Sequence, residues 1–523
     1  MIERVRAIDR TAVVTVLGLL ALAALLRLPA LATRGTWDSD QGHDMLVLRA
    51  FARDGIVPLL GPPTSIGDVH HGAWYYYLLP PGALLTGGES PLAVVTVIAL
   101  SGIAAVGVTW WLARAIGGPL AGAVAGVAMA VSAAAIDEST FIWNPNLIAL
   151  SSSVALAGAW RAWSTRRPGW WLVAAVGAAI TMQCHVLGVA MLPVVGGLLL
   201  ADARRGGADR RVILGCLMVI GVSLVPLLVN ELTTGFSEVR AALDYVTDGR
   251  DEAGAGLPVR IAITGLRVVS WPLTGLITSG FLAGVVATSV VVGIVAWRWR
   301  AAGPERTAVR WLGLALVWST LFLAVAAPSL ATVVVGLPND HYHAFADPMV
   351  FTLVGVGSAA LARSVPGRAV ATAGLVVLLA WNIGHLPPAV HPDGGFPAAR
   401  TAAERVDRVL TTAGVPRDAV VAIRSLPDVK STESMAYPLV LLGRAVAAET
   451  PRGLSPGSTD PAAVEPARPP ALVLLCDDLF ATLIGAPCGG QAEDAAVSGP
   501  GVGPLLDRFE GAPGRWVSVY AAP

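Results

Sequence analysis

Charge, and lysine above all, is what this sequence has least of. Only 14% of the 523 residues are charged, against about 25% in an ordinary soluble domain. Lys430 is the only lysine. So little charge excludes a chain that keeps its whole surface in water. Arginine beside abundant Ala, Gly and Val fits a high-G+C genome and carries no functional meaning. The formal net charge is zero, so bulk charge points to no partner, and no nucleic-acid partner is expected. No internal repeat is visible either.

What is present is apolar. The chain is 54% hydrophobic with a mean hydropathy of +0.66. Its long apolar runs are each enough to cross about 30 Å of hydrocarbon. The expected fold class is a polytopic α-helical membrane protein of about eleven transmembrane helices, followed by an extracytoplasmic α/β domain. The spans are read at 11–30, 91–113, 119–136, 145–163, 170–184, 186–201, 212–230, 276–297, 311–329, 347–362 and 369–386. No A-x-A cleavage site follows the first, so it is read as a signal anchor. Segment 170–201, interrupted by Gln183 and His185, is read as two short helices. One long tilted helix is the alternative, and it would reverse the sidedness of everything after it.

Sidedness follows from arginine. With the N-terminus inside, the inner segments hold Arg4, Arg6 and Arg10, then Arg114, Arg161, Arg166, Arg167, Arg204, Arg205, Arg210, Arg211, Arg298, Arg300, Arg306, Arg310, Arg363 and Arg368. The outer segments hold the acids Asp38, Asp40, Asp44, Asp54, Asp68, Asp137, Glu138, Glu231 and Asp340, and all eight histidines. This is the multi-pass arrangement of a protein of a bacterial cytoplasmic membrane, embedded in the lipid bilayer.

Two domains are expected: residues 1–390 in the membrane, with an outer loop at 31–90, and 391–523 outside it. In the second, AARTAAERVDRVLTTA places Ala403, Val406 and Leu410 on one helical face. DAVVAIRS, ALVLLCDD and WVSVYAA read as strands, and the Pro/Gly/Ser-rich TPRGLSPGSTDPAAVEPARPP as a loop. Cys476 and Cys488 are a candidate disulfide outside the cytoplasm. Cys184 and Cys216 fall in spans and read as apolar fillers.

The unusual stretch is TWDSDQGHDMLVLRAFARDGIVPLLGPPTSIGDVHHGAWYYYLLP, residues 36–80. It gathers acids, histidines and three consecutive tyrosines between two apolar segments. Ionisable groups beside a bilayer usually face a watery cavity. The run DMLVLRAFARDG puts Met45, Leu48 and Phe51/Ala52 on one stripe, as a helix lying along the membrane surface would. Trp74 and Tyr75 to Tyr77 suit the headgroup level.

Three pieces of this loop carry a resemblance: Asp40-Gln41-Gly42-His43-Asp44, Gly61-Pro62-Pro63-Thr64-Ser65 and His71-Gly72-Ala73-Trp74-Tyr75-Tyr76-Tyr77. Echoes follow in Trp143-Asn144-Pro145-Asn146, Gln183-Cys184-His185, Asn230-Glu231 with Gly235-Phe236, and His341-Tyr342-His343. In order and common sidedness, over residues 10–360, the chain resembles the GT-C class of membrane glycosyltransferases. It is most similar to the superfamily of dolichyl-phosphate-mannose protein mannosyltransferases and aminoarabinose transferases (the ArnT-like families 39 and 83).

The resemblance implies a polyprenyl-phosphate-linked sugar as donor, transferred on the outer face to a protein, lipid or cell-wall glycan. It implies Asp40 as general base, with Asp38, Asp44 and Asp68 as secondary acids. Relatives often carry Arg or Lys where this chain has His43 and His71. The donor-phosphate side of the cavity is therefore expected among His43, His71, Tyr75, Arg260, Arg267, His341 and His343. A divalent metal held by His70, His71, Asp340, His341 and His343 is the other way to meet the leaving phosphate. Trp143, Asn144, His185 and Glu231 are expected to line the cavity. Two other functions compete: a transporter or flippase for a lipid-linked glycan, and a catalytically degenerate scaffold. A transporter should show repeats and ionisable residues near the bilayer midplane; the sequence shows neither.

Overall fold

In a computed structural model, the described residues are 9–64, 69–247, 255–332, 339–427, 432–447, 469–498 and 502–522. Helix α1 is Arg10–Arg27 and α2 is Ser39–Asp54. A small hairpin, β1 (Leu60–Pro63) and β2 (His70–Gly72), and α3 (Trp74–Leu78) follow. The bundle continues with α4 (Pro91–Gly117), α5 (Pro119–Val131), α6 (Ile148–Thr165), α7 (Gly169–Cys184), α8 (Met191–Arg204), α9 (Arg210–Ser223) and α10 (Val225–Thr234). It closes with α11 (Ser237–Thr247), α12 (Leu257–Thr274), α13 (Phe281–Arg298), α14 (Gly303–Ala326), α15 (Asp347–Leu361) and α16 (Val365–Gly384).

Every segment read from hydropathy as a span falls largely on a helix. Among the described residues, seven helices are long and apolar enough to cross a membrane, eight if the pair α9 and α10, bent by 47°, is one broken span. This is fewer than the eleven expected. The apolar helices α5 and α7 are short, and α6 carries Ser151, Ser152 and Ser153 and is mostly buried inside the bundle. Segment 170–201 is two helices, α7 and α8, joined at His185 by a 3-10 turn, Val186–Ala190. Residues 257–274, read as outer loop, form α12, packed against α13 and α14.

Small residues decide the close packing. A Cβ on Gly177 of α7 would lie 2.5 Å from the Ala155 nitrogen of α6, and one on Gly355 of α15 would lie 2.3 Å from the Ala121 carbonyl of α5. Only glycine lets these backbones meet.

The C-terminal part begins with α17 (Gly395–Thr412), whose Ala403, Val406 and Leu410 are fully buried. It packs on a five-stranded mixed sheet of order β4-β3-β5-β7-β6. The strands are β3 (Val421–Leu426), β4 (Val446–Ala447), β5 (Ala471–Asp477), β6 (Leu505–Ala512) and β7 (Arg515–Ala521). β3 is parallel to β4 and β5; β7 runs antiparallel to β5 and β6. The three strands read from the sequence are the central ones. β6 is a polar edge strand and was missed, as was α18 (Glu433–Leu441). Cys476 and Cys488 form a disulfide; Cys184 and Cys216 are free and buried. Most of the Pro/Gly/Ser-rich stretch lies outside the described residues.

Helix α2 is not laid open along a surface. Met45, Val47 and Leu48 are buried, and Leu46 packs against the cores of both the bundle and the C-terminal sheet. The helix is sandwiched between the two parts of the chain.

Candidate active site

The first turn of α2 is built by a capping box. Asp38 is the N-cap, its side chain accepting the Ser39 N–H at 2.9 Å, while Gln41 Oε1 accepts the Asp38 N–H at 2.8 Å. Asp38 also pairs with Arg515 at 3.2 Å. Its carboxylate is thereby engaged in holding the helix start against the C-terminal sheet. The cap leaves Asp40 exposed in the first turn, where the positive end of the helix dipole favours a negative charge. The indole Nε1 of Trp143 donates to Asp40 Oδ2 at 3.1 Å.

From Trp143 a chain of rings leads away from the carboxylate. Its ring lies 4.0 Å from that of His341; His341 is 5.5 Å from His185, and His185 is 4.5 Å from His71. Tyr342 flanks His185 at 5.2 Å. Four segments distant in sequence are thus brought together. Asn144 ties the turn after Trp143 to the end of α7 by donating to the Cys184 carbonyl at 2.5 Å. Gly72 lets the hairpin lie on α7, since a Cβ there would sit 2.0 Å from Gln183 Oε1.

The hydrogen bonds assign the imidazoles. His71 Nδ1 accepts the Val186 N–H and His185 Nδ1 accepts the Leu187 N–H, both at 3.2 Å. Each ring, neutral, then carries its proton on Nε2 and is a donor there. Burial first, then His185 and His70, hold His71 well below the ordinary histidine range. This cluster offers N–H donors without positive charge.

The other anticipated residues lie elsewhere. His43 Nδ1 is 3.0 Å from Glu433 Oε1, both nearly inaccessible, under α18. Burial, the largest influence, opposes its charge, but Glu433, Asp44 and Asp40 outweigh it and raise His43 to about 9. Its charge is spent on that pair, not on a donor phosphate. Asp44 is buried and accepts the hydroxyls of Tyr75 at 2.6 Å and Tyr76 at 2.8 Å. Burial lifts it to about 7 against the opposing pull of His43 and the two tyrosines. Tyr75 is therefore a support of α2.

Arg267 is fully buried on α12. Its Nε and Nη2 grip Asp340 at 2.8 and 2.6 Å, and its Nη1 donates to the Leu330 and Thr332 carbonyls. His343 Nε2 faces the same Asp340 at 3.2 Å. Arg260 is half-buried two turns earlier on the same helix. His70 pairs with Glu238 at 2.9 Å, and Glu231 accepts the Glu238 and Val239 N–H groups at the start of α11. Asp68 lies outside the described residues.

The five residues considered for a metal are split three ways: His70 with Glu238, His71 with His341 across His185, and Asp340 and His343 with Arg267. Among the described residues, the only convergence of three or more such ligand atoms is Cys476, Cys488 and Glu493, where the sulfurs are already bonded to each other. A metal shared by the five does not fit.

Beside the hairpin a wholly apolar groove of about 290 Å³ runs between α7 and α9, lined by Val176, Ala179, Ile180, Met218, Val219 and Val222. Trp74 and Gln183 close its end next to β2. Tyr342, Glu433 and Arg515 were not given roles from the sequence. Only the first had a signal, its place in His341-Tyr342-His343.

No protein-family model matches the sequence, and no curated protein matches it. Solved structures do match in fold. ArnT from Cupriavidus metallidurans in the apo state aligns with a TM-score of 0.57 at 14% identity, covering 98% of each chain. The same protein bound to undecaprenyl phosphate gives 0.55 at 15%, with the same coverage. AglB, the oligosaccharyltransferase of Archaeoglobus fulgidus, in complex with an inhibitory peptide and a dolichol-phosphate, gives 0.50 at 13%, covering 98% of this chain and 74% of that one. The likeness to ArnT runs through the bundle and the C-terminal sheet alike, and the chain has the GT-C fold in its ArnT-like form.

Proposed function

We propose that the protein transfers a sugar from a polyprenyl-phosphate donor to an acceptor hydroxyl, with Asp40 as general base. The observation that carries this reading is the placement of Asp40: exposed at a helix N-terminus, held by Trp143 Nε1, at one end of a ring cluster that ends in His71. Asp40 takes the acceptor's proton as its oxygen bonds to the anomeric carbon. The bond from that carbon to the phosphate oxygen breaks, and the polyprenyl phosphate leaves. Its developing charge meets the Nε2–H donors of His71 and His185. The apolar groove beside the hairpin suits a polyprenyl chain, being lined without exposed polar surface. Lipid phosphates bound to two proteins of the same fold support the donor class. Transfer takes place on the outer face, with the N-terminus inside and the C-terminal sheet outside.

The test is a transfer assay with undecaprenyl-phosphate sugars on the purified chain. Asp40→Asn is expected to lower kcat by about 10²–10⁴-fold with donor binding retained. His71→Ala is expected to weaken donor handling instead. An Asp40→Asn variant with near-normal turnover sinks the base assignment. Movement of an intact lipid-linked glycan across proteoliposomes, without transfer, would favour the flippase.

A further inference from the structure

We propose that the C-terminal domain is a working part of this site, with Glu433 as the positioning residue that sets the pose of the first turn of α2 and so of Asp40. The inference rests on the reading of Asp40 above.

Helix geometry divides α2 into two faces. Gly42, His43 and Leu46 share one arc, and each meets the C-terminal domain. Gln41, Asp44 and Leu48 share the opposite arc. Gln41 donates to the Ile142 carbonyl, Asp44 accepts from Tyr75 and Tyr76, and Leu48 is in the bundle core. Asp40 falls on the edge between the arcs, so a roll of the helix displaces it relative to Trp143. The bundle holds one face; Glu433 holds the other.

The Glu433 contact is close enough to fix that roll. A Cβ on Gly42 would lie 2.2 Å from the Glu433 carbonyl oxygen and 2.7 Å from the Ser434 nitrogen. Glycine is a poor helix former, and here the touching backbones require it. The Glu433 carboxylate reaches over this contact to His43 at 3.0 Å. The approach to the helix is fixed from the same side. Trp37 Nε1 donates to the Ser434 carbonyl at 2.9 Å, and Arg515 of β7 bridges Asp38, Asp393 and Asp477 at 3.2, 3.4 and 3.2 Å. Two segments of the C-terminal domain, α18 and β7, thus meet the helix turn that bears the base and its approach, and Asp393 and Asp477 brace Arg515.

Hydrogen exchange of the full chain in detergent micelles, read on peptides covering residues 38–46, tests the clamp without any substrate. Glu433→Gln removes the charge at constant shape, and Gly42→Ala forces the backbones apart while favouring the helix itself. Both are expected to speed exchange of these amides about tenfold or more. Glu433→Asp, which keeps the charge, should recover most of the protection. Arg405→Gln, which breaks an exposed pair to Asp507 within the domain, should leave it unchanged. Wild-type protection in both Glu433→Gln and Gly42→Ala overturns the proposal. In the undecaprenyl-phosphate-sugar assay the same two variants should lower kcat and leave the apparent KM for donor unchanged; a raised KM at constant kcat overturns it as well. If the wild-type chain transfers no sugar, the base assignment fails, and the exchange result still decides the clamp.

Discussion

Trp143 Nε1 and Asp40 Oδ2 stand 3.1 Å apart across 103 residues of chain. The indole does two things there: its N–H fixes one carboxylate oxygen, and its ring lies against His341. Trp143→Phe keeps an aromatic ring and removes the donor. A hydrogen bond to a charged group is worth about 1.5–3 kcal/mol. Turnover is therefore expected to fall by roughly 10- to 100-fold, less than for Asp40→Asn, with the melting temperature nearly unchanged. Full activity in Trp143→Phe would show that this bond does not orient the base.

The His43–Glu433 pair makes stability depend on pH. His43 holds its proton more tightly folded, at about 9 against an ordinary 6.5, so its contribution is complete below about 6.5 and is lost as pH rises through 9. Asp44 has the same sign: burial first, against His43 and the two tyrosines, holds it at about 7 against an ordinary 3.8. It therefore favours the folded state at low pH and loses that advantage as pH rises through 7. Thermal midpoints in detergent are expected to fall steadily from pH 5 to 9.5. Glu433→Gln should bring the His43 part of the fall to lower pH. A midpoint that rises with pH over this range contradicts both assignments.

Arg267 and Asp340 are a fully buried pair joined by two hydrogen bonds of 2.8 and 2.6 Å. Removing one partner strands the other charge, at a cost of about 3–5 kcal/mol. Asp340→Asn and Arg267→Gln should each lower the unfolding midpoint clearly, and the double variant should lose less than the sum. Equal, additive losses would show that the two side chains are not coupled.

The sidedness proposed above predicts that a reporter active only in the cytoplasm is silent when fused after residue 390. An active fusion would place the C-terminal sheet and the Asp40 loop in a compartment where the proposed donor geometry fails.

Much of this protein was legible in its sequence because its largest energies are local and periodic. Long apolar runs fix helices whatever surrounds them. The short apolar runs of β3, β5 and β7 and the one-sided stripe of α17 reported a sheet domain after residue 390. The family resemblance singled out Asp40, whose motif sits directly after the first span, and its place on the first turn of α2 supports the role proposed for it. The helix α12 was not legible: two arginines and two prolines in residues 257–274 lower its hydropathy, and the buried Asp340 with the Leu330 and Thr332 carbonyls makes Arg267 admissible inside a packed bundle.

The sequence by itself determined that the chain is helical and membrane-embedded, with one polar loop that gathers acids, histidines and tyrosines. It did not determine which of those groups pair with one another. That was decided by tertiary structure, because the partners come together only on folding. Glu433 takes His43, the paired tyrosines take Asp44, Asp340 takes Arg267, and Arg515 takes Asp38. Each of these partners lies tens to hundreds of residues away, so no local pattern announces the pairing. Asp40 stands exposed on the turn they hold, and the Trp143 indole N–H donates to one of its oxygens.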